Sequence, residues 1–292
     1  MKTALIDIGS NTIRLVVYDG AKEIENVADY AGLISDVSEG EISAEGIFKI
    51  VCALNRMKKI ALEHECDNIY AFATASLRDI SDKDGLISYI YENTGINMEI
   101  ISAEREAQYD FLGIRSICTD ENGVAFDLGG GSCQIIVYEK NFPRESASFK
   151  IGSRKLYDEF VGGVLPSDEE KIKISRFVRR SISDMPILKG FSDGKEIYAM
   201  GGAVFALCSL AKKYFSLNEN VLDEKILCKI CTLTESEITT VVPKRLNTVI
   251  PAALTMTELI KYSTASRIVA TSVGVRDGIL SDKFGQKTKM HK

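Results

Sequence analysis

Two stretches of this chain carry side chains of the right type and spacing to handle a metal-bound phosphate. The first is Asp7-Ile-Gly-Ser-Asn-Thr-Ile-Arg-Leu-Val-Val-Tyr-Asp19, and the second is Asp127-Leu-Gly-Gly-Gly-Ser-Cys-Gln-Ile-Ile-Val-Tyr-Glu139. They align without a gap over thirteen residues. Each follows an apolar run, residues 4–6 or 124–126, and leads into another, so each reads as strand, tight turn, strand. A carboxylate at a strand end, followed by bare N–H groups and a hydroxyl, suits this chemistry. The amides hold the anion, the small residues let it approach, and the carboxylate orients Mg²⁺ or water. One Asp-x-Gly between strands is ordinarily only a turn. Two copies in register, each with Ser or Thr and extra small residues, point to related domains closing on one phosphate chain.

The elements that must position these turns follow the same pattern twice. Strands are expected at residues 2–8, 13–18 and 22–30, a long amphipathic helix at 44–65, a strand at 68–73, a helix at 82–93, a short strand at 97–101 and a helix at 103–116. The polar stretch 119–123 reads as the domain boundary. The second half restarts with strands at 123–127, 133–139 and 144–150 and helices at 153–160 and 168–185. A strand at 196–200 runs into Gly201-Gly202, and an apolar helix follows at 203–214. The remainder is mostly helical, with a strand near 266–270 and a polar tail from Lys283. Three strands and then alternating helix and strand, twice over, is the layout of a duplicated α/β fold with mixed sheets. The domains are expected at 1–121 and 122–292, with the C-terminal tail free to pack back on the first.

Composition bounds the function. A chain of 292 residues is comfortable for two domains. Its 45% hydrophobic and 26% charged residues are ordinary for a globular protein. A net charge of −5 argues against general affinity for nucleic acid or an anionic membrane. No apolar stretch reaches membrane-spanning length, and the N-terminus lacks the apolar region of a signal peptide. Seven scattered cysteines fit a reducing cytoplasm. Cys228-x-x-Cys231 has no second pair to complete a zinc site. His64 and His291 are the only histidines, which nearly excludes His-based triads and His-rich metal sites.

Beyond the two turns, further segments fall in order along the chain: Ala73-Thr-Ala-Ser-Leu-Arg78, Ser102-Ala-Glu-Arg-Glu-Ala107, Ile151-Gly152, Met200-Gly-Gly202 and Gly274-Val-Arg-Asp-Gly278. With the turns, they resemble the exopolyphosphatases and guanosine pentaphosphate phosphohydrolases, the Ppx/GppA family, in its short two-domain form. The resemblance implies an α/β fold of two duplicated ribonuclease H-like (actin-like ATPase) domains with an interdomain cleft. It also implies hydrolysis of terminal phosphoanhydride bonds in polyphosphate or a guanosine polyphosphate, with Mg²⁺ or a similar cation. A cytoplasmic location and a homodimer are expected with it.

The resemblance makes Glu106 the general base, early on its helix, and Arg78 the guanidinium that neutralises charge on the transferring group. Asp127 is expected to bind Mg²⁺, with Asp7 as its mirror. Gly129, Gly130, Gly131 and Ser132 would present donors to phosphate, as would Ser10, Asn11 and Thr12 from the first domain and Gly201 and Gly202 from the turn after the strand at 196–200. Asn11 has an alternative reading as a left-handed turn residue. Arg14 is read as facing solvent. Arg154 and Lys155 are candidates to line the cleft. Lys173, Arg176 and Arg180 share a helix face that reads as solvated.

Two departures bear on activity. Ser132-Cys133-Gln134 stands where the family usually has Ser-Thr-Glu, and Ala203 stands where Thr is common. They motivate one alternative, a regulator that binds a guanosine polyphosphate or nucleotide without hydrolysis; a small-molecule kinase of the same superfamily, with the Gly201-Gly202 turn as its adenine site, is the other alternative.

Overall fold

The computed structural model describes residues 1–285 apart from 117, 119 and 218. By its internal contacts the chain divides into two units, one of Met1–Tyr109 with the segment from Val275 onward, the other Asp110–Gly274. The first division point lies ahead of the 119–123 stretch, of which Thr119 lies outside the described residues. So does His291, with the tail beyond Gly285.

The first unit is built on a sheet in the order β3-β2-β1-β6-β7. β1 (Lys2–Ile8), β2 (Ile13–Asp19) and β3 (Lys22–Asp29) form an antiparallel meander. A two-stranded hairpin, β4 (Val37–Ser38) and β5 (Glu41–Ile42), precedes α1 (Ala44–Glu63). β6 (Asn68–Ala73) pairs parallel with β1 and is followed by the single turn α2 (Ala75–Arg78) and by α3 (Lys83–Thr94). β7 (Met98–Ile100) pairs parallel with β6, and α4 (Ala103–Arg115) follows it.

β1 is apolar at every position from Ala4 to Ile6 because both faces of the sheet are covered. Side chains alternate along a strand. Ala4, Ile6 and Ile8 therefore pack with Ile50, Leu54 and Met57 of α1. Leu5 joins Val16, Tyr18, Phe72 and Tyr109 on the opposite face. That second face is closed by the last described helix, Val275–Phe284, through Val275, Ile279 and Leu280. It is also the face to which Asp7 belongs, two positions after Leu5.

The second unit repeats the meander as β8 (Gly123–Leu128), β9 (Cys133–Glu139) and β10 (Phe142–Phe149). α5 (Ser153–Phe160), α6 (Asp168–Ile182), β11 (Glu196–Met200) and α7 (Gly202–Phe215) follow. β12 (Val221–Leu222), α8 (Glu224–Ile230), α9 (Glu235–Val241), α10 (Leu246–Ser263), β13 (Arg267–Ala270) and α11 (Val275–Phe284) complete the described elements. The second sheet runs β10-β9-β8-β11-β13-β12. Val124, Phe126 and Leu128 of β8 face a core lined by Ile174 and Val178 of α6, Leu207 of α7 and Met256 of α10. α10 is buried along most of its length, as a helix apolar on all sides must be. Among the described residues, no helix is long and apolar enough to cross a membrane.

Candidate active site

In the first unit, the strand pair β1–β2 delivers Asp7 and the following turn. Gly9 N–H donates to the Thr12 carbonyl at 3.0 Å and closes it. A Cβ on Gly9 would sit 3.1 Å from that carbonyl. The Ser10 and Asn11 carbonyls accept from Ile34 at 2.9 Å and Gly32 at 3.1 Å, so the turn is tied to the segment after β3. Asn11 is absent from the residues with positive φ, so the left-handed alternative does not apply to it. Ser10 is buried, and the Thr12 hydroxyl is buried without a hydrogen-bond partner. A buried hydroxyl left in that state costs free energy unless something else satisfies it.

Asp7 is largely buried, and Arg276 Nη1 of α11 lies 3.4 Å from its Oδ2. Burial holds the Asp7 carboxyl above the usual aspartate range, opposed by Arg276 and Arg14. Arg14 is not the solvated strand residue expected. It stands opposite Asp7 in the β1–β2 register and is half-buried. Burial and the neighbouring Arg276 lower its pKa. Arg276 was hidden in the sequence. Its segment was visible as a motif, but only the packing of α11 brings it to a carboxylate 269 positions away.

Glu106 and Arg78 come from different elements and form an ion pair. Glu106 is 5% exposed. It sits in the first turn of α4, where a carboxylate is favoured by the helix dipole. Arg78 ends α2, and its Nε donates to the Ile101 carbonyl at 3.2 Å, just ahead of α4. The guanidinium has five N–H donors, and these two contacts use two of them. Glu104 is exposed, its pKa lowered by its own backbone N–H and by Ser102.

In the second unit, the turn after Asp127 is braced by the segment that opens α5. Gly129 N–H donates to the Ser132 carbonyl at 3.0 Å, repeating the Gly9–Thr12 bond. The Gly129 carbonyl accepts from Ser153 N–H, and the Gly130 carbonyl from Arg154 and Lys155 N–H, at 2.9–3.0 Å. With those carbonyls committed, the other side of the turn keeps its N–H groups for an anion. A Cβ on Gly152 would collide with the backbone of Gly130, Gly131 and Ser132, so glycine there permits the bracing. Arg154 and Lys155 pair along their helix with Asp158 at 2.8 Å and Glu159 at 3.4 Å.

Gln134 is buried opposite Asp127. Its Nε2 donates to Ser132 Oγ at 2.9 Å and to Ser148 Oγ at 3.4 Å. Ser132 therefore accepts from Gln134 and retains its own proton to donate. Burial pushes the Cys133 thiol well up, with Asp127 and Asp110 adding to the shift, so that thiol stays protonated. Gly201 has φ +111° beside Asp127 and the Leu128 carbonyl, a conformation that glycine tolerates. Gly202 opens α7, and the Arg245 guanidinium packs on its α-carbon. On the outer surface, Lys173, Arg176 and Arg180 are exposed, and Arg179 pairs with Glu258 at 2.8 Å.

Among the described residues, no group of three or more His, Cys, Asp or Glu side chains is arranged to hold a metal ion. Mg²⁺ is commonly held by one or two carboxylates together with substrate phosphates. A single carboxylate at the mouth of a glycine turn, as at Asp127, fits an ion that arrives with its phosphate.

The model of the Ppx/GppA phosphatase family matches residues 33–287. The chain belongs to the Ppx/GppA phosphatase family. Among curated members, exopolyphosphatase 1 of Mycobacterium tuberculosis is 28% identical over 169 residues, covering 55% of this chain and 49% of that one. The bifunctional 3-dehydroquinate synthase/phosphatase of Fusobacterium nucleatum is 25% identical over 287 residues, covering 89% of this chain and 43% of that one. The chain thus spans about half the length of the curated relatives it matches. An exopolyphosphatase from Cytophaga hutchinsonii superposes with a TM-score of 0.86 at 21% identity, over 99% of this chain and 100% of that one. The Aquifex aeolicus PPX-GPPA enzyme gives 0.76 at 22% identity, over 97% and 99%. These likenesses establish the fold, α/β with two actin-like domains.

Proposed function

We propose that this Ppx/GppA family member is a phosphohydrolase that removes the terminal phosphoryl group of a polyphosphate chain. The observation that carries the reading is the Glu106–Arg78 ion pair. Water attack on a phosphoryl group needs a positioned carboxylate and a cation for the charge that develops. The ion pair with Arg78 holds the Glu106 carboxylate in place. Arg78, anchored on Ile101, keeps further N–H groups for a phosphate oxygen.

The remaining residues hold the anion. Ser132, oriented by Gln134, donates its proton to a phosphate oxygen. The amides of Gly130 and Gly131 supply further donors, Gly129 closes the turn through its own N–H on the Ser132 carbonyl, and Gly201-Gly202 permits close approach. In the first unit, Ser10 and Asn11 set the turn, and the buried Thr12 hydroxyl gains a partner when phosphate binds. Asp127, together with the substrate phosphates, would hold Mg²⁺, which would supply charge neutralisation. Members named exopolyphosphatase support a polyphosphate substrate. Guanosine pentaphosphate offers the same kind of tail and is the alternative substrate.

A second reading, binding of a guanosine polyphosphate or nucleotide without turnover, is favoured by the neutral Gln134 and by Ala203, which offers no hydroxyl at the start of α7. One assay separates the two. Phosphate release is measured from polyphosphate and from guanosine pentaphosphate with Mg²⁺, beside calorimetric binding of each. Release from polyphosphate is the expected result. Tight binding with no release across several divalent metals would overturn hydrolysis in favour of the second reading.

A further inference from the structure

Glu106 is carried by α4, and the contacts of that helix decide where its carboxylate sits. Ser102 opens the helix, its hydroxyl accepting from Arg105 N–H at 3.2 Å. The Arg105 guanidinium donates to the Tyr109 hydroxyl at 3.0 Å and to Asp282 of α11 at 3.0 Å. Tyr109 follows Arg105 by four positions and Glu106 by three, so it neighbours both on the helix. Its ring is buried with Val275, Ile279 and Leu280 of α11.

At Tyr109 the two helices meet backbone to backbone. A Cβ on Gly278 of α11 would collide with the Tyr109 carbonyl and lie 2.6 Å from the Tyr109 Cα. Gly278 is helical and has no positive φ, so glycine is needed there for the close approach alone. α11 is not free to retreat. Val275, Ile279 and Leu280 are buried with Leu5, Val16 and Phe72 of the sheet, and Lys283 pairs with Glu99 at 3.0 Å. One turn further along α4, a Cβ on Gly113 would lie 2.6 Å from the Gly274 carbonyl. Arg78, the partner of Glu106, is anchored elsewhere, on the Ile101 carbonyl. The fit of Glu106 to Arg78 therefore depends on where α11 holds α4.

We propose that Gly278 is a positioning residue for Glu106: by letting α11 and α4 touch at Tyr109, it sets the helix that carries the carboxylate at the place where Arg78 and the attacking water meet it. For the chemistry the proposal rests on the phosphohydrolase reading above; the setting of Glu106 against Arg78 does not require it. Gly278 acts through Tyr109 and the α4 backbone. A methyl group on Gly278 meets backbone rather than a flexible side chain, so the helices must part. A reacting group displaced by about 1 Å loses on the order of 10² in rate, even where the fold survives.

The test measures coupling in the full chain without substrate. The stability lost on Arg78→Ala is read from urea denaturation in three backgrounds: wild type, Gly278→Ala, and Ile50→Val, which loosens the opposite face of the same sheet. Substitutions with no shared partner add, and those that disturb one contact do not. In Gly278→Ala the loss is expected to fall to about half or less of its wild-type size, and in Ile50→Val to stay whole. Circular dichroism checks that each variant is folded. Gly113→Ala presses the same helix less severely, is expected to act in the same direction, and serves if Gly278→Ala does not fold. In phosphate release from polyphosphate, Gly278→Ala is expected to lower kcat about tenfold or more with KM changed less than about twofold. Arg78→Ala keeping its full effect in both glycine variants would overturn the proposal. So would a kcat within about twofold of wild type in folded Gly278→Ala. Phosphate release by the wild type judges the phosphohydrolase reading separately, because the coupling is read without substrate.

Discussion

Glu106 and Arg78 depend on each other for stability as well as chemistry. Breaking a fully buried ion pair from one side costs about 3–5 kcal/mol, because the remaining charge is left uncompensated. Arg78 retains 18% exposure, so Arg78→Ala is expected at the low end, about 3 kcal/mol, read from urea denaturation. A loss below about 0.5 kcal/mol would mean that the pair does not persist in solution. Gly152 is a second sensitive position. A methyl group there meets backbone atoms of Gly130, Gly131 and Ser132, and backbone yields less readily than a side chain. Gly152→Ala should cost about 1–3 kcal/mol and raise KM through displacement of the turn. Unchanged KM and stability would show that the brace does not shape the turn. At this scale the sequence exposed the residue types but not their pairing. Glu106 and Arg78 were legible as separate motifs. The contacts of Arg14 and Arg276 depend on strand register and on the return of α11, which local pattern does not encode.

The elements were more legible than the contacts. The long strands and the helices up to α7 announced themselves by period, because one face or both had to be apolar to reach a core, whereas α8 to α11 were legible only as a mostly helical stretch. The short pieces that escaped, among them the β4–β5 hairpin, the one-turn α2 and the two-residue β12, are shorter than any period needs to declare itself. Helix starts were also written in the sequence. Ser167 and Glu170 form a capping box on α6, and Thr234 and Glu237 form another on α9. Backbone hydrogen bonds hold both glutamates below their usual 4.5. A carboxyl with a depressed folded pKa adds stability above its unfolded value and loses it as pH falls through the folded one. Thermal melts between about pH 3 and 6 should therefore show an acid-side loss that Glu170→Gln reduces. An identical pH profile for wild type and Glu170→Gln would remove the α6 box as a contributor.

Across the whole molecule, duplication is the organising fact. A five-stranded and a six-stranded sheet each begin with the same antiparallel meander and continue with parallel strands, the second ending on the antiparallel β12. The doubled turn motif made this visible in the sequence, as did the family resemblance. The return of the last helix to the first unit is set by Val275, Ile279 and Leu280 finding the uncovered face of β1, a match of surfaces that only the folded chain displays. The central claim concerns one atom group within this frame, the Glu106 carboxylate acting on water at a polyphosphate end. The direct measurement is steady-state phosphate release from polyphosphate by Glu106→Gln, which keeps the side chain's size and removes its basicity. A fall in kcat of about 10²- to 10⁴-fold with KM little changed is the expected result. Turnover within a few-fold of wild type would contradict the account.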